Sequence, residues 1–148
     1  MPNLKWSNLS HLQLGQYAEY YAKMEFASYG FEVYTSEVDD HGVDFVVKNK
    51  AGKFFEVQVK SVRNRNYTYI LESKIALDNS HLVCFLLFVD DHLPYCFLFP
   101  ATVWIQPKGT LFTIRNYKKR EFGINPSKKN QDKLDVFRIE DIIQRYYD

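Results

Sequence analysis

The chain has 148 residues, of which 46% are hydrophobic and 17% aromatic, so it suits one domain around a single core and excludes a disordered polypeptide. A net charge of +1 excludes binding of nucleic acid by bulk charge alone, which leaves local charge to decide. Its longest apolar runs, such as LVCFLLFV, are too short to span a bilayer.

The opening MPNLKWSNLS lacks a basic start followed by an apolar stretch, so no signal peptide is expected. Cys84 and Cys96 both sit inside apolar runs and read as buried thiols. Together these features predict a cytoplasmic protein with no membrane association. Basic residues gather at Arg63 and Arg65, at Lys118 to Arg120 and at Lys128 and Lys129, while acids gather at Asp39, Asp40 and Asp44 and at Asp90 and Asp91. Such patches suit an ordinary solvated surface, and they also suit a metal-dependent phosphodiesterase.

The pattern predicts a helix over residues 10–29, capped by Ser7 or Ser10 and ended by Gly30. Gly15, Ala18, Ala22 and Phe26 share one stripe, which predicts close approach to another element at Gly15, with Glu19 aimed along the contact. Three strands follow at 31–38, 43–48 and 53–62, joined by the turns DDHG and NKAG, as an antiparallel meander. In the third, Glu56, Gln58 and Lys60 alternate with Phe55, Val57 and Val59, so an acid, an amide and a lysine share a face.

Residues 63–70 read as a basic loop entering a short strand. The run 81–89 predicts a strand buried on both faces, with 95–100 as its hairpin partner. A helical turn at ATVW, an edge strand over 110–115, a loop over 116–133 and a last helix capped by Asp135 complete the chain. No internal repeat and no second domain are visible, so residues 1–148 are expected to form one domain.

The order is therefore helix with Glu19, strand with Asp44 in GVDF, then strand with Gln58-Val59-Lys60 in VQVKS. This series resembles the PD-(D/E)XK nuclease superfamily, in which an acid on a first helix joins an Asp on one strand and a (D/E)-x-K triplet on the next. The resemblance covers about the first half of the chain and rests on order and spacing. It departs at Gln58, where an amide replaces the acid, as in some members of the superfamily that include an intron-encoded homing endonuclease subgroup.

The resemblance implies an α/β fold with a restriction endonuclease-like core, a central mixed sheet flanked by helices. It implies a divalent-metal-dependent endonuclease acting on DNA, with Glu19, Asp44, Gln58 and Lys60 as catalytic residues. Mg²⁺ or Mn²⁺ would be held by Asp44, Gln58 and Glu19, because an amide carbonyl can ligate a hard cation. Glu56, on the same face as Gln58, would either help or simply face solvent. Lys60 would orient the attacking water or offset charge on the phosphate.

Ser61, Arg63, Arg65 and Tyr67 follow the triplet and would contact the DNA backbone, or else form a polar loop. Cutting both strands from one site per chain would favour a homodimer. The neutral Gln58 also leaves open a catalytically inactive nucleic-acid-binding or assembly module. His11, His41, His81 and His92 show no zinc-like spacing.

Overall fold

The structure is a computed structural model that describes residues 1–35, 37 and 42–148. A turn at Trp6–Asn8 leads into α1 (His11–Ser28). Ser10 closes a capping box at its start: its hydroxyl accepts from the Gln13 N–H at 3.2 Å, and Gln13 Oε1 accepts from the Ser10 N–H at 2.9 Å. Such a cap is worth about 1 kcal/mol. At the other end Gly30 takes a positive φ of 98° and stops the helix.

The main sheet has the strand order β1 (Glu32–Thr35), β2 (Phe45–Lys48), β3 (Phe54–Arg63), β5 (His81–Phe88), β6 (Tyr95–Pro100). All neighbours are antiparallel except β3 and β5, which run parallel, so this five-stranded sheet is mixed. The antiparallel meander of β1 to β3 and the β5–β6 hairpin are as expected. The proposed DDHG turn has its first three residues outside the described residues.

Leu14, Ala18, Ala22 and Phe26 of α1 are buried against Phe45, Val47, Phe55 and Val57 and against Leu82, Cys84 and Leu86. The two alanines let the helix lie close to the sheet. Each large apolar side chain buried this way contributes roughly 1.5–3 kcal/mol. Gly15 does not take part: it is exposed, and a Cβ there would meet nothing within 4 Å. The expected close approach at Gly15 is therefore corrected, since the buried row runs through Leu14, one position away.

The opposite face of the main sheet is covered by later elements, chiefly a second sheet. Its order is β4 (Thr68–Leu71), β8 (Arg120–Ile124), β7 (Phe112–Asn116), all antiparallel. Ile70, Phe112, Phe122 and Ile124 pack with Trp104 against Val83, Phe85, Leu87, Phe97 and Phe99. Strand β8 lies inside the segment expected to be a loop. It is the central strand of its sheet, with Glu121 to Ile124 buried.

Gly123 in β8 hides this strand from a sequence reading, yet the position needs glycine. A Cβ there would come within 2.3 Å of the Tyr67 hydroxyl and 2.5 Å of Thr113 Oγ1. The expected last helix is likewise broken into α2 (Gln131–Asp135), α3 (Ile139–Ile142) and α4 (Gln144–Tyr147). Asp135 ends α2 and does not cap a helix. The break falls where the Phe137 carbonyl accepts from the Leu98 N–H at 2.8 Å and Arg138 bridges to Phe97 in β6. Cys84 and Cys96 are buried free thiols with their sulfurs 3.3 Å apart. Among the described residues no helix is long and apolar enough to cross a membrane.

Candidate active site

The site is created by a fork between β2 and β3. Their pairing begins at Phe45 and Val57, yet β3 runs on to Arg63. Beyond Val57 the β2 side of β3 has no partner strand among the described residues. Gly42, at a positive φ of 80°, directs the chain into this fork, and a Cβ on it would press to 3.0 Å from the Lys74 carbonyl.

Asp44 sits where the strands part. Its N–H donates to the Val57 carbonyl at 3.0 Å, and its Oδ2 accepts from the Val59 N–H at 2.7 Å. The carboxylate thus takes the place of a ladder carbonyl and is fixed in orientation by β3 itself. A charge-assisted hydrogen bond of this length is worth about 1.5–3 kcal/mol.

On the helix side of β3, Glu19 and Asp44 line one open groove of about 550 Å³ whose inner wall is Val59, the middle residue of the triplet. Glu19 is half-buried and pairs with Lys23 one turn on at 3.5 Å. On the other side, Gln58 and Lys60 stand in register with Val83 and Phe85, which face the second sheet. The Gln58 amide nitrogen lies 3.2 Å from where a Cβ on Gly42 would stand, next to the approach to Asp44.

Lys60 is half-buried. Burial pushes its pKa below the ordinary lysine value, and the Asp44 charge works in the opposite direction. Asp44 thus lines the groove with Glu19, and its charge acts on Lys60 from across the strand.

Glu56 is placed differently. It shares a face with Gln58, but its carboxylate is engaged by His81 Nε2, while His81 Nδ1 meets Asp78 Oδ1 at 2.6 Å. The hydrogen bond from His81 pulls the Asp78 pKa down to about 2. This chain of contacts pins the start of β5 to β3.

Ser61 and Tyr67 line a second groove of about 530 Å³ together with Arg63 and Asn66. The Arg63 guanidinium, however, donates to the carbonyls of Trp6 at 3.0 Å and Leu9 at 2.8 Å, immediately before the α1 cap. Arg65 donates to Pro126 O at 3.0 Å and Gln131 Oε1 at 2.6 Å. The Tyr67 hydroxyl donates to Glu121 at 2.7 Å, and Arg115 lies over its ring at 4.0 Å. Both arginines read from sequence as DNA contacts therefore hold the fold together.

His11, which sequence reasoning set aside, lines both grooves and joins them. Its spacing of four from Gly15, itself four from Glu19, was the available signal.

A search of solved structures finds a bacterial homing endonuclease that is 20% identical and superposes with a TM-score of 0.58 over 93% of this chain and 96% of that chain. The chain has a restriction endonuclease-like fold. A Holliday junction resolvase from Archaeoglobus fulgidus, 14% identical, superposes with a TM-score of 0.47 over 72% of this chain and 86% of that chain. No protein-family model and no curated protein sequence matches.

The donors that line the groove together are oxygens, the Glu19 and Asp44 carboxylates, and Gln58 would add an amide carbonyl from the other face of β3. They fit a hard cation such as Mg²⁺, which keeps several waters and needs few protein ligands. They do not form a closed cage, since no group of three His, Cys, Asp or Glu able to hold a metal occurs among the described residues.

Proposed function

We propose that this protein is a divalent-metal-dependent endonuclease that hydrolyses phosphodiester bonds of DNA. The observation that carries this reading is the position of Asp44. A carboxylate fixed to the Val59 N–H at a strand fork opens into a groove with Glu19 and lies within electrostatic reach of Lys60. Asp44 and Glu19 would hold the cation from the groove, with Gln58 as the ligand from the other face of β3. When bound, Mg²⁺ or Mn²⁺ supplies Lewis-acid polarisation of a phosphoryl oxygen and a more acidic water.

The chain's own groups do the positioning. The Val59 N–H fixes the orientation of the Asp44 carboxylate at the fork. Lys60 offsets the negative charge that grows on the phosphate as the fifth bond to phosphorus forms. Glu19 closes the groove opposite and orients a water for attack. Glu56 is left out of the metal set, because His81 takes its carboxylate. Ser61 and Tyr67 border the path of the strand, while Arg63 and Arg65 act through the fold.

Purified protein is expected to nick supercoiled plasmid in Mg²⁺ or Mn²⁺ and to stop doing so in EDTA. Asp44→Asn and Lys60→Ala lose this cleavage, and Glu56→Gln keeps it. Cleavage that survives both Asp44→Asn and Lys60→Ala would refute the reading. DNA binding without cleavage by the parent would select the inactive binding module that the neutral Gln58 permits.

A further inference from the structure

We propose that Gly15 is the place where the DNA backbone passes against α1, its absent side chain leaving room for the strand. This rests on the DNA-cutting reading above and adds a positioning residue to it. Gly15 lies well inside an 18-residue helix, where glycine is the least favourable residue after proline. No packing offsets that cost, because a Cβ would meet nothing within 4 Å. No positive φ requires glycine either, since Gly15 is absent from the residues with left-handed backbone.

What does surround Gly15 is the groove that holds Glu19 and Asp44. His11, Gly15 and Glu19 follow each other at intervals of four, so they form one row along the helix wall of that groove. At His11 the groove continues into the second one, bordered by Ser61, Asn66 and Tyr67. A strand lying on the fork with its scissile phosphate near Asp44 would cross the helix at the middle of this row. A side chain at position 15 would stand in its way, whereas a bare backbone lets the sugar and phosphate approach.

The test is binding of a fluorescently labelled DNA duplex in Ca²⁺, read by anisotropy, together with thermal melting. Gly15→Ala should raise Tm by about 2–4 °C, as expected for removing a helix-interior glycine from a chain of this size. Gly15→Leu should keep or raise Tm yet weaken duplex binding at least tenfold. Because no charge is removed, the dependence of log affinity on log salt should keep its slope. Ala27→Leu, exposed on the same helix but outside the groove, should bind like the parent.

Gly15→Leu binding as tightly as the parent would overturn the inference while leaving the nuclease reading intact. Equal weakening by Ala27→Leu would also overturn it, since the effect would then belong to the helix in general. A parent protein that binds no duplex would sink the nuclease reading and this inference with it.

Discussion

On the proposed reading Lys60 and Asp44 carry the chemistry at the scale of single residues, and the burial of Lys60 has a consequence for stability. Its folded pKa lies below the ordinary 10.5 because burial disfavours the ammonium. A buried cation therefore costs stability at neutral pH, and that cost is relieved as pH rises from the folded value towards the unfolded one. Replacing Lys60 by Met should raise Tm at neutral pH and flatten the gain in stability the parent shows on the alkaline side. Melts across that range check both.

The same shift predicts the alkaline limb of activity. Cleavage that needs the ammonium should fall at a pH below the normal lysine range, and Lys60→Arg, which stays charged, should move that limb upward in a pH–rate profile. The resemblance made Asp44 and Lys60 visible in the sequence. The role of Gly15 was not, because its stripe and the buried stripe through Leu14 differ by one position, and only packing tells them apart.

Arg63 matters at the scale of elements, because it ties the far end of β3 to the chain just before α1. Its two hydrogen bonds to carbonyls hold the helix that carries Glu19 over the strand that carries Gln58 and Lys60. Arg63→Ala should cost about 2 kcal/mol and lower Tm by roughly 4–8 °C. A residue that only touched DNA would leave the melt unchanged.

In the second sheet, Gly123→Ala forces a methyl against Tyr67 and Thr113 and should destabilise by about 1–3 kcal/mol, measurable by urea denaturation. Strands β1 to β3, β5 and β6 were legible because alternation and continuous apolar runs agree with their tertiary roles. Strand β8 was not, because Gly123 and the charges before it read as a loop while its pairing with β4 and β7 makes it central. The C-terminal helix failed similarly: apolar spacing over 136–146 was helical, but Phe137 and Arg138 are drawn to β6.

For the whole molecule, two sheets and the long helix α1 frame the β2–β3 fork, with the shorter helices α2 to α4 at the C-terminal end. A net charge of +1 gives little long-range attraction for DNA, so affinity must come from the groove and should fall steeply with salt only in proportion to the phosphates it contacts. On the proposed reading, one fork per chain would cut one strand. If two copies act together about a twofold axis, nicked plasmid should dominate at low protein concentration and linear plasmid should appear as concentration rises. Linear product at every concentration, with no nicked intermediate, would speak against such pairing.

The most direct measurement is anomalous diffraction from crystals soaked in Mn²⁺. A peak is expected at the fork, within about 2.1 Å of an Asp44 carboxylate oxygen, and it should vanish in crystals of Asp44→Asn. Manganese bound elsewhere with the fork empty, or an identical peak in Asp44→Asn, would contradict the assignment of this fork as the metal centre of a nuclease.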